Sequence, residues 1–349
     1  MKRITIGKSK IGDGNPTFVI AEAGVNYNGS LKLALEHIKK AKEAGADAIK
    51  FQTYTPSRLV TKKAKRYWTI GDTKIKTQYE AFTKFDQLSV AQYKKMMAYA
   101  KRLGIVLFST PFELEAVDFL EQVGVPAYKI ASADITYFPL LEKVARTKKP
   151  IILSVGAATI AEVKDAVRYI TSRGNANIIL LHCILSYPTA QKDINLRMID
   201  TLQKTFPDNI IGLSDHTQDP LTPALAVMRG AQVVEKHFTV DNSLPDNPDH
   251  ELGMDPKAMK RLVDAVRVAE ISLGTGHKVP IPAEQAARTH ARRSVTSLVD
   301  ISKGTKITRG MLTGKRPGTG IPTKFLNRVV GRHARRNIPA DTTITDAMI

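Results

Sequence analysis

The sequence predicts a (β/α)₈ barrel followed by a small, mostly β domain. Three observations carry this. Eight short apolar runs alternate with eight helical patterns over about 260 residues, the count of a parallel barrel. Each run ends on its C-terminal side in polar or ionisable groups. Past a Gly- and Pro-containing stretch, the texture changes to short β-like runs broken by turn signals.

The first run is Thr17–Glu22. A helix follows from about Leu31, with Ala34, Leu35, Ile38 and Ala41 on one stripe, and Gly45 stops it. The second run is Ala46–Gln52. A polar excursion from Thr53 to about Leu88, rich in Lys, Thr and Tyr, is expected to be a structureless functional loop or lid. A helix from Ser89 to Leu103 returns the chain. The remaining runs are Ile105–Thr110, Val125–Ser132, Pro150–Val155, Asn177–Cys183, Ile210–His216 and Ala231–Phe238. Helical patterns fill roughly 113–123, 138–147, 160–172, 196–205, 221–229 and 256–273. A doubly wound open sheet is the alternative. It would usually carry a Gly-rich phosphate loop after its first strand, and Gly24 and Gly29 do not make that fingerprint.

The expected division is a barrel over 1–273, a linker over 274–288 and a β domain over 289–349. So small a domain is expected to have little core and to need docking on a barrel. The 349 residues are 43% hydrophobic and 24% charged, ordinary for a globular protein. No apolar run approaches the roughly 18 residues of a membrane helix, and the N-terminus lacks a signal-like apolar core. Cys183 is the single cysteine, which excludes an internal disulfide; a cytoplasmic protein with no membrane partner is expected. The net charge is +19, with 13 Lys or Arg against 3 Asp or Glu in the 62 residues from Arg288 to Ile349. That balance suits anionic partners. No aromatic-interleaved basic stripe, zinc-finger spacing or basic helix supports nucleic acid among them.

The strand-end residues are Glu22, Lys50 with Gln52, Thr110, Lys129 with Ser132, Ser154, His182, Ser214 with His216, and Glu235 with His237. Barrel active sites occupy the C-terminal face, so these ends are the candidate site. Strand side chains alternate faces, which puts Glu235 and His237 together and turns Lys236 outward, toward the helices. His216 and His237 end adjacent strands. If both point inward they can share a divalent metal with open positions; otherwise one is a general base and the other structural. Lys50 and Lys129, amid Thr110, Ser132, Ser154 and Ser214, make a cradle for phosphate or carboxylate. The competing reading is an aldolase with a Schiff-base lysine. Glu22 is a candidate base or a salt-bridge partner of those lysines. Glu235 reads as a carboxylate on the metal or sugar side. Cys183 beside His182 could be a nucleophile, but neighbours in a strand face opposite ways and a small core residue is the simpler reading.

Ile20-Ala21-Glu22-Ala23-Gly24-Val25-Asn26, Ile49-Lys50-Phe51-Gln52-Thr53, Phe108-Ser109-Thr110-Pro111-Phe112, Tyr128-Lys129-Ile130-Ala131-Ser132, Gly212-Leu213-Ser214-Asp215-His216-Thr217 and Val234-Glu235-Lys236-His237-Phe238-Thr239 together resemble the N-acetylneuraminate (sialic acid) synthase family. Lys315-Arg316-Pro317-Gly318-Thr319-Gly320 resembles the signature of that family's C-terminal antifreeze-like domain. The resemblance implies condensation of phosphoenolpyruvate with an open-chain N-acetylated aldose. The products are phosphate and a nine-carbon 2-keto acid. It implies a divalent metal, Mn²⁺ first and Mg²⁺ or Co²⁺ next, on His216 and His237. It places phosphoenolpyruvate on Lys50, Thr110, Lys129, Ser132, Ser154 and Ser214, with Glu22 as base. The sugar-side matches are Gln52, Asp134, Tyr187, Asp249 and Arg316, the last delivered by the partner in a domain-swapped homodimer. Departures fall at Tyr27, Asp134, Tyr137, Ala157 and Ile184-Leu185-Ser186, and bear on the sugar more than on the chemistry. Legionaminate, pseudaminate and 9-phosphate-forming relatives share the scaffold.

Overall fold

A computed structural model of the chain describes residues 2–68, 70–71, 74–84, 88–245, 247 and 249–349. The chain divides into two compact units, 1–274 and 275–349. The first opens with an antiparallel hairpin, β1 (Arg3–Ile6) and β2 (Ser9–Gly12), which the eight-fold rhythm does not announce. Ile6 and Ile11 are fully buried in the main core. Gly7 faces Val106 and Gly12 faces Ile210, residues that open barrel strands, so the hairpin seals the barrel's N-terminal end.

Eight parallel strands follow and close on themselves: β3 (Phe18–Gly24), β4 (Ala48–Thr53), β5 (Val106–Pro111), β6 (Tyr128–Ile130), β7 (Ile151–Ser154), β8 (Ile178–Cys183), β9 (Ile210–Asp215) and β10 (Val233–His237). Closure comes from β10 pairing with β3, Val233 opposite Phe18 through His237 opposite Glu22. The crossover helices are Leu31–Glu43, Val90–Leu103, Leu114–Val123, Phe138–Arg146, Ile160–Ser172, Arg197–Thr205, Thr222–Met228 and Pro256–Leu273. Their ends follow local chemistry. The Ser30 hydroxyl accepts from the Leu33 amide, Thr159 and Glu162 form a capping box, and Gly104 ends its helix at φ 70°. The barrel, and not the open sheet, is the fold.

The Thr53–Leu88 excursion is not structureless. It carries the short helices Pro56–Leu59 and Gln78–Phe82, the second capped reciprocally by Thr77 and Glu80. Its aromatic residues Trp68 and Phe82 pack with ring centroids 5.8 Å apart. A helix Asp249–Leu252 was likewise not expected from periodicity.

The second unit pairs β11 (Ser294–Ser297) with β12 (Leu312–Lys315) and extends this by isolated bridges, Thr296 to Thr343 and Ile301 to Ile338. Short 3₁₀ and helical turns fill the rest. The expectation of little core is corrected: Val295, Ile307, Leu312, Val329, Ile338 and Ile344 are all at most 2% exposed. The 274–288 stretch is exposed and includes the start of a helix, Gln285–His290.

Lys236 does turn outward from the barrel lumen, and it is buried there. Its ammonium donates to Asp215 Oδ2 at 2.6 Å and to Thr217 Oγ1 at 3.3 Å, while Asp215 also accepts from the Thr217 amide at 2.9 Å. With 1% of each residue exposed, this pair ties β9 to β10 behind the two strand-end histidines. Removing one member of such a pair leaves an uncompensated buried charge. Lys236→Met is expected to lower unfolding free energy by about 3–5 kcal/mol in urea titrations, and Lys236→Met with Asp215→Leu to recover part of that loss.

Candidate active site

The register of neighbouring strands assembles the site. Glu22 on β3 stands opposite Lys50 on β4 and His237 on β10, and Ser214 on β9 stands opposite Glu235. Residues two apart share a face. One cavity at the C-terminal mouth is accordingly lined by Glu22, Lys50, Gln52, Thr110, Lys129, Ser132, Ser154, Ser214, His216, Glu235 and His237. Tyr187, from the loop after β8, and Asp249, which opens the helix Asp249–Leu252, line it too. Asp134 lies just past β6, in a 3₁₀ turn, with its Oδ2 buried and without a hydrogen-bond partner. Arg316 belongs to the second unit.

The deep side is a knot of opposite charges. The Lys50 ammonium pairs with Glu22, donates to Thr110 Oγ1 at 3.0 Å and lies 3.9 Å from Glu235. The Lys129 ammonium donates to Glu235 Oε1 at 2.8 Å, and the Ser214 hydroxyl donates to the same oxygen at 3.1 Å. Glu235 therefore sits against the lysines, not on the metal or sugar side where the sequence places it. Gln52 donates to Glu22 Oε1 at 2.8 Å. Both readings of Glu22 survive: it is the salt-bridge partner, and burial lifts its carboxyl above the ordinary range, helped by the Glu235 charge and opposed by Lys50. Burial also opposes ionisation of Glu235, but Lys129 and Lys50 outweigh it and hold that carboxyl below the usual range. The Ser132 hydroxyl accepts from the Gly156 amide at 2.9 Å. Ser154 Oγ is buried without a hydrogen-bond partner.

The bulge that follows Glu22 is made by Gly24, at φ 52°. A Cβ there would lie 3.3 Å from both Asp249 and Gln52. Glycine thus lets the backbone turn between the Asp249 carboxyl and the Gln52 carboxamide. Nearby, Asn26 donates to the Phe238 carbonyl at 2.9 Å and accepts from Asn247 at 2.6 Å, tying the ends of β3 and β10 together.

The other side holds the imidazoles. His216 and His237 have ring centroids 5.3 Å apart. His216 Nδ1 lies 2.8 Å from the Ile184 carbonyl, so it is the donor and Nε2 keeps its lone pair. His237 Nδ1 is buried without a hydrogen-bond partner, 3.7 Å from Asp249. Burial drives the His216 pKa down to about 4 and holds that of His237 well below the ordinary imidazole value, aided by His216 and the lysines, so both rings are neutral at pH 7. Burial, then the Glu22 charge, raises Asp249 to about 7; burial does the same for Asp134. Two neutral, inward imidazoles with an orphaned ring nitrogen fit a divalent cation. Among the described residues no group of three or more His, Cys, Asp or Glu could hold a metal, so further ligands would come from water or substrate.

Two sequence readings are sharpened. His182 faces away, its Nε2 2.7 Å from the Ile194 carbonyl, and Cys183 lines the cavity. Burial pushes the Cys183 thiol up to about 11, which leaves it protonated and a poor nucleophile. Tyr54, Tyr67, Trp68, Phe82 and Phe112 also line the cavity and were not predicted as site residues. The available signal was the aromatic content of an otherwise polar excursion.

Residues 37–278 match the NeuB family model and residues 292–349 match the SAF domain model. The N,N'-diacetyllegionaminic acid synthase of Legionella pneumophila is 42% identical over 333 residues, 94% of this chain and 93% of that one. The pseudaminic acid synthase of Helicobacter pylori is 35% identical (95% and 97% covered), and the human N-acetylneuraminate-9-phosphate synthase 34% identical (97% and 94% covered). A crystal structure of N-acetylneuraminic acid synthetase from Leptospira borgpetersenii, in complex with citrate, superposes with a TM-score of 0.72 at 36% identity, covering 82% of this chain and 94% of that one. These relatives are sugar-acid synthases, and the three sequences match this chain over 94–97% of its length. The chain belongs to the NeuB family and carries a SAF domain at its C-terminal end.

Proposed function

We propose that this chain condenses phosphoenolpyruvate with an open-chain N-acetylated hexose, such as N-acetylmannosamine, to give a nine-carbon 2-keto sugar acid and phosphate. One observation carries the reading. Two buried lysines with hydroxyl donors face two neutral histidines across a single cavity, with Glu22 between them. Phosphoenolpyruvate brings two anionic groups, and the lysines with Thr110, Ser132, Ser154 and Ser214 supply donors for both. The unpartnered Ser154 hydroxyl is one donor in want of an acceptor.

The atoms balance as follows. C3 of phosphoenolpyruvate bonds to the aldehyde carbon, whose oxygen takes up a proton. Positive character develops at C2, close to the Glu235 and Glu22 carboxylates. Water adds at C2 and gives one proton to Glu22, which balances the one taken up at the aldehyde oxygen; the new C2 hydroxyl then passes its proton to the departing phosphate as the C–O bond to phosphate breaks and the C2 carbonyl forms. Glu22 suits that role because its proton affinity is raised while that of Glu235 is lowered, so one carboxyl takes a proton and the other remains a counter-charge. His216 and His237 would hold a divalent cation, Mn²⁺ first, which would orient and polarise the aldehyde. Gln52, Asp134, Tyr187 and Asp249 would position the sugar. Arg316 supplied by the partner of a domain-swapped homodimer, and a cytoplasmic location, belong to the same proposal. The names of the relatives support legionaminate, pseudaminate or 9-phosphate acids as alternative products on this scaffold.

A pyruvate-dependent aldolase is disfavoured because Lys129 and Lys50 are both ion-paired, and a paired ammonium lacks the lone pair that forms a Schiff base. Phosphate release is the decisive assay. Phosphoenolpyruvate and a panel of N-acetylated hexoses are expected to liberate phosphate in step with sugar consumption; borohydride trapping of pyruvate on either lysine would overturn the reading. His237→Ala is expected to keep the fold by circular dichroism, to lose Mn²⁺ binding by calorimetry and to lower turnover by at least about 10³-fold; full activity with added metal would sink the metal assignment. Arg316→Ala should raise KM for the hexose more than KM for phosphoenolpyruvate.

A further inference from the structure

The anion cradle holds no surplus of positive charge. Lys50 and Lys129 are the two Lys or Arg side chains among the described residues that line the cavity, and both are ion-paired, Lys50 with Glu22 and Lys129 with Glu235. Asp249 adds a third carboxyl to the lining. The imidazoles, with the cation proposed for them, stand on the other side. Phosphoenolpyruvate carries about three negative charges at neutral pH. Paired lysines and hydroxyls can orient such an anion, but the carboxylates beside them oppose its approach. A positive potential at the mouth would offset that opposition.

The Thr53–Leu88 excursion has the composition for it, with eight Lys or Arg against three Asp or Glu. Its path brings these charges to the rim. Tyr67, Trp68, Ile70 and Phe82 line the cavity. Just before them, residues 64–66 run antiparallel to 76–78: the Gln78 amide donates to the Ala64 carbonyl at 2.9 Å, and Lys65 bridges to Thr77. The Gly71 amide donates to Glu251 at 3.3 Å, on the helix that Asp249 opens. Lys65 thus stands two residues before Tyr67, and Lys84 two residues after Phe82. Both are exposed, and neither has a carboxylate partner among the described residues. Glu80, the acidic neighbour, is turned to the amides of Lys76 and Thr77, at 2.9 and 3.1 Å.

Resting on the synthase reading for the identity of the anion, we propose that the excursion is an electrostatic collar that captures phosphoenolpyruvate. Its exposed ammonium groups raise the concentration of the anion at the mouth; they act at a distance and touch no reacting atom. A neutral acceptor gains nothing from them, so the collar separates the two substrates by charge. Affinity for phosphoenolpyruvate is then screened by salt, and it depends on where the positive charge sits and not on the total of +19.

Two charge-matched variants separate the collar from the net charge. Lys65→Gln with Lys84→Gln removes two charges at the mouth. Lys8→Gln with Lys10→Gln removes two from the hairpin at the sealed end, where both side chains are exposed. Phosphoenolpyruvate and inorganic phosphate are titrated calorimetrically into each full-length protein between about 0.02 and 0.2 M ionic strength. The unsubstituted protein is expected to bind phosphoenolpyruvate about tenfold more weakly at the upper end. The mouth variant should lose about fivefold at the lower end and respond less to salt, while the hairpin variant follows the unsubstituted protein. In phosphate-release assays with N-acetylmannosamine and Mn²⁺, the mouth variant should raise KM for phosphoenolpyruvate and not KM for the hexose. A loss in the mouth variant no larger than that in the hairpin variant overturns the collar, as does failure of both anions to bind. Collar-dependent binding with no phosphate release from any aldose upholds the collar and removes the synthase reading instead; turnover with collar-independent binding does the reverse.

Discussion

At the mouth of the barrel two ammonium groups and two carboxylates are buried together, each at most 4% exposed. None of the four could be buried alone; the desolvation cost of a single ion exceeds what packing returns. The strand register brings them within reach, because Glu22 stands opposite Lys50 and Glu235 lies one strand over from Ser214. The knot does more than hold its own members. It fixes both lysine heads before any ligand arrives, so donors for an anion are already in place. It also separates two similar carboxyls by environment: Glu235 touches Lys129 and Ser214 and stays ionised, while Glu22, more poorly compensated, is the one able to take a proton.

Much of this was legible in the chain. Parallel barrel strands are buried on both faces, so they read as unbroken apolar runs, and their polar C-terminal ends stand out against that background. Side-chain parity then assigns faces without coordinates: Lys50 with Gln52, Ser214 with His216 and Glu235 with His237 all line one cavity. Parity cannot say which neighbour a carboxylate will choose. Glu235 points to the correct side, but its partner comes from β6, 106 residues away, and nothing local encodes that choice. The hairpin β1–β2 was hidden for a different reason. Its strands are four residues each, too short for a period to register. Tyr67 and Trp68 were hidden because their surroundings are polar, and aromatic packing between a loop and a strand end leaves no periodic trace.

The site divides into a part dictated by strands and a part dictated by connections. Lys50, Lys129, Ser214, Glu235 and His237 lie on or at the ends of hydrogen-bonded strands, with His216 one residue past β9. Their spacing is set by barrel geometry and backed by the Lys236–Asp215 tie on the outer face. Tyr67, Trp68, Phe82, Tyr187 and Asp249 come from the connecting segments. Such segments can change composition without disturbing the barrel. A shared scaffold can therefore vary its connections while the barrel is kept, and the synthases that this chain is similar to are named for different acids, legionaminic, pseudaminic and N-acetylneuraminic 9-phosphate.

The hairpin at the sealed end ties the start of the chain to its far side. Lys2 reaches the Asn209 carbonyl across 207 residues, and Asp13 accepts from Gln232 across 219. During synthesis the hairpin β1–β2 cannot complete these contacts until the segments leading into β9 and β10 have been made. The last strand also supplies Glu235 and His237, so sealing of one end and assembly of the other wait for the same event. Truncated or stalled chains would expose an open sheet with an unpaired β3 edge and an undocked hairpin, the kind of surface that recruits chaperones or aggregates. Completion of the barrel is thus a quality checkpoint, since the candidate site is whole only in chains that have finished closing.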